Sequence, residues 1–256
     1  MIDLHSHILP GIDDGAKNME QSLEMAKVAV NEGITTLFAT PHHHHNGRYI
    51  NIRESIFERV AELNERLSHY NIPLLVLPGQ EPRIYGELLD DYDNGKIVTV
   101  NDKGKYLLIE LPSSQVPYFT EQLLFDIQLR GLTPIIVHPE RNSRLIEEPN
   151  LLYQFVKKGA LTQLTASSIT GEFGKKIKKF SMQLLDANLA HVIASDAHNT
   201  GSRGFHMQKA FHHIHKQFGQ DMGYMLRENA QLITEGRMVY KEPPATVTRR
   251  KILGVF

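Results

Sequence analysis

Ile2-Asp3-Leu4-His5-Ser6-His7 is the stretch from which the rest of the chain can be read. Its short apolar opening suits a strand over Ile2–Leu4. Two imidazoles then follow two residues apart, so on an extended segment both point to one side. Outward from there the pattern recurs. Apolar runs at Thr35–Ala39, Leu74–Leu77, Tyr106–Ile109, Pro134–Val137, Leu161–Leu164 and His191–Ala194 predict six further strands. Helical stripes lie between them, as in Met19, Leu23, Ala26 and Val30, and in Ile52, Ile56, Val60, Leu63 and Leu67. Gly33, Gly131 and Gly159 stand where helices should end. Alternation of this kind specifies a parallel sheet. Seven such units predict an α/β fold, a TIM-like (β/α)7 barrel.

The residues just beyond each strand carry the chemistry. His5 and His7 follow the first strand, His42 the second and Glu81 the third, while the fourth leads into Glu110. The fifth runs into His138 and the seventh into Asp196 and His198, again an i, i+2 pair; the sixth supplies no ligand-type residue. In a barrel these positions share the C-terminal rim, where such folds place their active sites. Imidazoles and carboxylates gathered on one rim are costly unless something positive offsets them, and metal ions do that. Each element alone reads more readily as a surface histidine, a solvated loop carboxylate or a helix N-terminal charge than as a ligand; the shared register favours ligands. Within the run His42–His45, only His42 occupies a strand end, so His43, His44 and His45 are read as loop residues lining or gating the site. His69, His191, His206, His212, His213 and His215 are read as ordinary histidines on helices or in a strand.

Composition narrows the classes. The 256 residues are 41% hydrophobic and 22% charged with a net charge of −1, which suits one globular domain over 1–256. A near-neutral chain has no global field for nucleic acid or an anionic membrane, so neither is expected as a partner. No apolar run is long enough to cross a bilayer and no export signal opens the chain, so the expectation is a cytoplasmic protein without membrane insertion. With no cysteine, thiol nucleophiles and thiolate metal sites are excluded. From Tyr240 onward a tail carrying Pro243-Pro244, Arg249-Arg250-Lys251 and Ile252-Leu253 is expected to strap the barrel exterior.

Five motifs together resemble a known family. His5-Ser6-His7-Ile8-Leu9-Pro10-Gly11-Ile12-Asp13-Asp14-Gly15, Thr40-Pro41-His42, Pro78-Gly79-Gln80-Glu81, His138-Pro139-Glu140-Arg141-Asn142 and Ser195-Asp196-Ala197-His198 are similar to motifs of the PHP (polymerase and histidinol phosphatase) superfamily. The closer resemblance is to its bacterial manganese-dependent protein-tyrosine phosphatases of the capsule and exopolysaccharide type. That resemblance implies a distorted barrel, the PHP fold, holding about three divalent ions, Mn2+ foremost, with Fe2+ or Zn2+ also compatible with nitrogen and oxygen donors. It implies one ion on His5, His7, Glu81 and Asp196, a second on Glu81, Glu110 and His138, and a third on Asp14, His42 and His198. Arg141 and Arg203 match the arginines expected to grip phosphate. Tyrosine-phosphorylated proteins, a bacterial tyrosine kinase and its substrates among them, are the implied partners.

The expected reaction is phosphate-monoester hydrolysis by a metal-bridging hydroxide, with no covalent phosphoenzyme. Three divalent ions against four carboxylates leave a local charge of roughly +2, and the two arginines raise it to about +4, enough to draw in a phosphate dianion. A tyrosine leaving group, with a pKa near 10, needs only modest acid assistance; a histidine among His43–His45 or a metal-bound water are both candidates for it. Two other readings use the same ligands: a small-molecule phosphatase acting on histidinol phosphate, and a metal-binding module without catalysis, which leaves Arg141 and Arg203 without a task.

Overall fold

The computed structural model describes residues 1–247. All seven predicted strands are present, as β1 (Ile2–Ser6), β2 (Thr36–Ala39), β4 (Leu75–Pro78), β6 (Tyr106–Ile109), β7 (Thr133–Val137), β8 (Leu161–Thr165) and β9 (Val192–Ala194). Two short strands, β3 (His42–His43) and β5 (Glu81–Pro82), prolong β2 and β4 beyond Pro41 and Gly79 and pair His42 with Glu81. Every pairing is parallel, in the orders β1-β2-β4, β3-β5 and β6-β7-β8-β9.

Among the described residues, bridges near the upper rim join the sheets into a distorted barrel. β9 meets β1 through a Ser6–Ala197 bridge, with His7 N–H donating to the Ala197 carbonyl at 2.8 Å and Asp196 N–H to the His5 carbonyl at 2.9 Å. β5 meets the end of β6 through an Arg83–Glu110 bridge, with Glu110 N–H donating to the Pro82 carbonyl at 2.9 Å. The segments that carry the strand-end residues are thus also the ones that close the ring.

Two apolar layers follow from strand alternation. Inside lie Leu4, Phe38, Leu108, Ile135, Val137 and Val192, packed with Ala230 and Ile233 from the last helix. Outside, Leu37, Val76, Leu107, Ile109, Ile136 and Ile193 meet the helical ring. That ring comprises α1 (Met19–Asn31), α2 (Arg53–His69), α3 (Leu88–Asp93), α4 (Thr120–Leu129), α5 (Ser143–Glu147), α6 (Pro149–Lys157), α7 (Ala166–Thr170), α8 (Lys175–Asp186), α9 (Met207–Phe218) and α10 (Gln220–Thr234). α1 begins where the Asn18 side chain accepts the Gln21 N–H, and Gly33 follows with φ of 74°. Its buried stripe is Ser22, Met25, Ala26 and Ala29, while the expected Met19, Leu23 and Val30 only flank it. Ser22 is drawn inward because its hydroxyl donates to the Ile8 carbonyl at 2.6 Å. α2 buries Ile56, Val60, Leu63 and Leu67 as predicted, with Ile52 at its N-cap. His206 also departs from expectation, capping α9 with φ of 51° instead of lying within it.

The start of the C-terminal tail does strap the barrel. Tyr240 N–H donates to the Asn229 side chain at 2.8 Å, Asn188 donates to the Pro243 carbonyl at 3.1 Å and Ala245 N–H to the Ala187 carbonyl at 2.9 Å. The expectation for Arg249 to Phe256 falls outside the described residues. Among the described residues, no helix is long and apolar enough to cross a membrane.

Candidate metal centre

His5 reaches the barrel mouth because β1 carries an irregularity. Asp3 pairs with Leu37 but Ser6 pairs with Ala39, so β1 advances three residues where β2 advances two. A bulge of this kind re-aims side chains. It brings His5 Nε2 to 3.2 Å from His7 Nε2. Asp196 and His198 face the same space by another route. Asp196 has φ of 52°, a left-handed turn instead of the extended backbone expected there, and His138 lies in the same region at 36°. Strained backbone at residues of this kind is a common property of functional sites.

The anticipated donors form three overlapping groups, and a fourth adds His45 to His42 and Glu110. His5, His7 and Glu81 lie together, as do Glu81, Glu110 and His138, and His7, Asp14, His42 and His198; within each group, donor atoms are within 4.8 Å of one another. Asp196 joins the first group, its Oδ1 lying 3.4 Å from His5 Nε2 and 3.3 Å from His7 Nε2. Glu81 reaches several imidazoles at once: Oε2 is 3.4 Å from both His5 and His7, and Oε1 is 2.8 Å from His138 Nε2. All nine strand-end and loop residues anticipated as donors therefore converge. Asp14 arrives on the loop after β1, which can pack against the His7 backbone only because Gly15 lacks a side chain. A Cβ there would sit 2.0 Å from the His7 carbonyl oxygen.

These residues suit cations better than they suit one another. Glu81 Oε2, Asp196 Oδ1, His42 Nδ1 and His198 Nε2 are buried and make no hydrogen bond. His42 Nδ1 approaches Glu81 Oε2 to 2.7 Å in an orientation that forms none. Lone pairs crowded around common points, without donors between them, are what metal ligands look like. The electrostatics agree. Burial opposes the Asp196 and Glu81 charges, yet Arg141 with nearby imidazoles holds Asp196, and His5, His42 and His138 hold Glu81, well below the usual carboxylate range. Burial likewise opposes charging of His42, but Glu81 and Asp14 raise its pKa to about 9. The site demands positive charge from any source it has.

Three residues near the donors were not anticipated in their roles. Asp13 Oδ2 lies 2.7 Å from His7 Nδ1, and its Oδ1 accepts the Gly15 N–H. Gln163 Oε1 is 2.9 Å from His5 Nδ1, so the sixth strand contributes an orienting amide instead of a ligand. Both partners fix the ring tautomer that leaves Nε2 free for a cation. His45, read as a loop residue, places Nδ1 2.8 Å from Glu110 Oε2 and its ring 4.1 Å from that of His42. The other two histidines of the run turn away: His43 Nδ1 contacts the Asn51 carbonyl and His44 stacks on Tyr85 at 4.0 Å. Arg141 and Arg203 converge on one oxygen, Asp196 Oδ2, at 2.5 and 3.3 Å. A hollow of about 40 Å³ lies between Glu110, His138 and Arg141.

A barrel with an acid–imidazole rim of this design matches a defined group of proteins. Residues 1–235 match the capsular polysaccharide synthesis CpsB/CapC family, and the chain belongs to it. Within that group it is 50% identical to the tyrosine-protein phosphatase YwqE of Bacillus subtilis over the full length of both chains. Identity is 37% to the putative tyrosine-protein phosphatase CapC of Staphylococcus aureus, again over both full lengths. To the tyrosine-protein phosphatase CpsB of Streptococcus pneumoniae it is 31%, covering 86% of this chain and 91% of the relative. Among solved structures, one described with YwqE and CpsB as a unique metal-dependent tyrosine phosphatase superimposes with a TM-score of 0.94 at 49% identity. That match covers 97% of this chain and all of the other.

Proposed function

We propose that this chain is a metal-dependent protein-tyrosine phosphatase, and that its rim holds about three divalent cations, Mn2+ with Fe2+ and Zn2+ as compatible alternatives. The carrying observation is the set of three donor groups, buried except at Asp14 and joined through Glu81 and His7, beside two arginines that converge on Asp196. One cation is assigned to His5, His7, Glu81 and Asp196, a second to Glu81, Glu110 and His138, and a third to Asp14, His42 and His198. When bound, such ions neutralise phosphate charge and lower the pKa of water from 15.7 toward about 7.

The chain's own residues perform the remaining tasks. Asp13 and Gln163 orient His7 and His5. Arg141 and Arg203 grip the phosphate: two guanidinium forks already directed at a single carboxylate oxygen present a ready anion site. The substrate tyrosine leaves with a pKa near 10, so it needs little proton assistance. Since the chain contains no cysteine, a cysteinyl-phosphate plays no part. The family and its tyrosine-phosphatase relatives support phosphotyrosyl proteins as substrates. A bacterial tyrosine kinase and its targets in capsule or exopolysaccharide production, in the cytoplasm, are the physiological set proposed with them.

The test is turnover of phosphotyrosyl peptides beside histidinol phosphate, with Mn2+ and after exhaustive chelation. Peptide hydrolysis that disappears with the metal is expected. Preference for histidinol phosphate by about a hundredfold in kcat/KM, or full activity after chelation, would overturn the reading.

A further inference from the structure

Among the described residues, one donor cluster lies outside the catalytic rim. His43, His44 and Asp91 bring two imidazole nitrogens and a carboxylate oxygen within 4.8 Å of one another. They come from different elements: the histidines from β3 and the residue after it, the aspartate from α3. His43 is buried, and its Nδ1 is used in a 3.0 Å hydrogen bond to the Asn51 carbonyl, which accepts and so fixes the ring proton there. Nε2 is consequently the lone-pair nitrogen, and it is buried without a partner. A buried imidazole lone pair with nothing to accept from is a cost that a cation removes.

His44 is held in a left-handed conformation, φ 57°, that lays its ring on Tyr85 and brings Nε2 to 3.9 Å from Asp91 Oδ2. That separation is too long for a hydrogen bond. It suits two atoms that share an ion between them, since metal–ligand bonds to such donors are about 2.0–2.2 Å each. Asp91 is steadied by the Tyr85 hydroxyl, which donates to Oδ2 at 2.8 Å, and by Lys96 Nζ, 2.7 Å from Oδ1. We infer that His43, His44 and Asp91 form a further divalent-metal site, distinct from the rim, that takes an imidazole-preferring ion such as Zn2+. Two neutral histidines and one carboxylate are a borderline donor set, unlike the carboxylate-rich rim, so the two sites differ in preference. Lys96 is the site's internal competitor, because its ammonium already occupies the carboxylate that a cation would use. An ion held here fastens the loop carrying His42 and His45 to α3, and so fixes one lip of the rim.

Total bound metal per chain, Mn2+ plus Zn2+, is measured on the full-length protein equilibrated with MnCl2 and then titrated with ZnCl2. Asp91→Asn and His44→Ala are each expected to bind one equivalent less than the unmodified protein. Lys96→Met should bind that same equivalent about tenfold more tightly, because it removes a like charge from the carboxylate. Counting total metal makes exchange at the rim irrelevant, and a rim that bound no metal at all would leave the difference between variants intact. Equal stoichiometry in all four proteins overturns the inference, and so does unchanged or weakened zinc binding in Lys96→Met.

Discussion

The two ends of the barrel treat buried histidine in opposite ways. At the base, His191 is buried at the start of β9, where its Nδ1 accepts the Thr162 N–H at 3.1 Å and its backbone carbonyl accepts from Asn229 at 2.9 Å. Burial holds its pKa down to about 4, so the ring stays neutral and the protein alone completes its environment. At the rim, His7 is driven the other way. Burial opposes its charge, but Asp13, Asp196 and Glu81 raise its pKa well above the ordinary value. The base is satisfied by the polypeptide; the rim is complete only with cations. Buried polar residues therefore say little by themselves about function. What distinguishes a site is whether their partners lie within the chain.

Five experiments break or sharpen that contrast. Glu81→Gln, which removes the carboxylate shared by two donor groups, should cost at least about 10³-fold in kcat/KM, with a matching fall in bound metal by elemental analysis. Arg141→Ala should cost about 10²-fold in kcat/KM on phosphotyrosyl peptide while metal content stays constant; unchanged kinetics would remove Arg141 from the phosphate site. Asp13→Asn, which alters the partner on the far nitrogen of His7 while an amide oxygen can still accept the Gly15 N–H, should weaken metal affinity by roughly 10–100-fold, read from Mn2+ titrations of activity. At the base, Asn229→Ala deletes three hydrogen bonds, two of them to Tyr240, and should lower unfolding stability by about 2 kcal/mol with kcat unchanged. His191 gives the smallest effect. Its folded pKa of about 4 lies below the unfolded 6.5, so the unfolded chain takes the proton first and stability falls as pH drops from 6.5 toward 4. That slope is at most about 1.4 kcal/mol per pH unit, and urea melts of His191→Asn should lack it.

Much of this was legible in the sequence for a simple reason. Parallel β/α units repeat their hydrophobic signal, and each strand ends on the same rim, so His5, His42, Glu110 and His138 could be placed by position alone. What could not be read follows from contacts between distant segments. Nothing local marks Gln163 as the partner of His5, because the two are 158 residues apart. Asp13 stood in full view beside Asp14, but only the loop's path over Gly15 shows which carboxylate meets the back of His7 and which enters the cluster. The histidine run was ambiguous because four identical residues carry no pattern; backbone geometry separates them, sending His45 to Glu110 and His44 to Tyr85. The left-handed turn at Asp196 had no sequence signal, since an i, i+2 pair reads as extended chain.

The seam between β9 and β1 has a consequence for how this protein comes into being. Its hydrogen bonds involve the main chain of His5, His7, Asp196 and Ala197, three of which also supply donor side chains. Pulling the sheet together and drawing the donors around an ion are therefore one mechanical act. Before a cation arrives, a newly made chain has Glu81, Glu110 and Asp196 buried together and pushing apart the very stitches that should hold its cylinder shut.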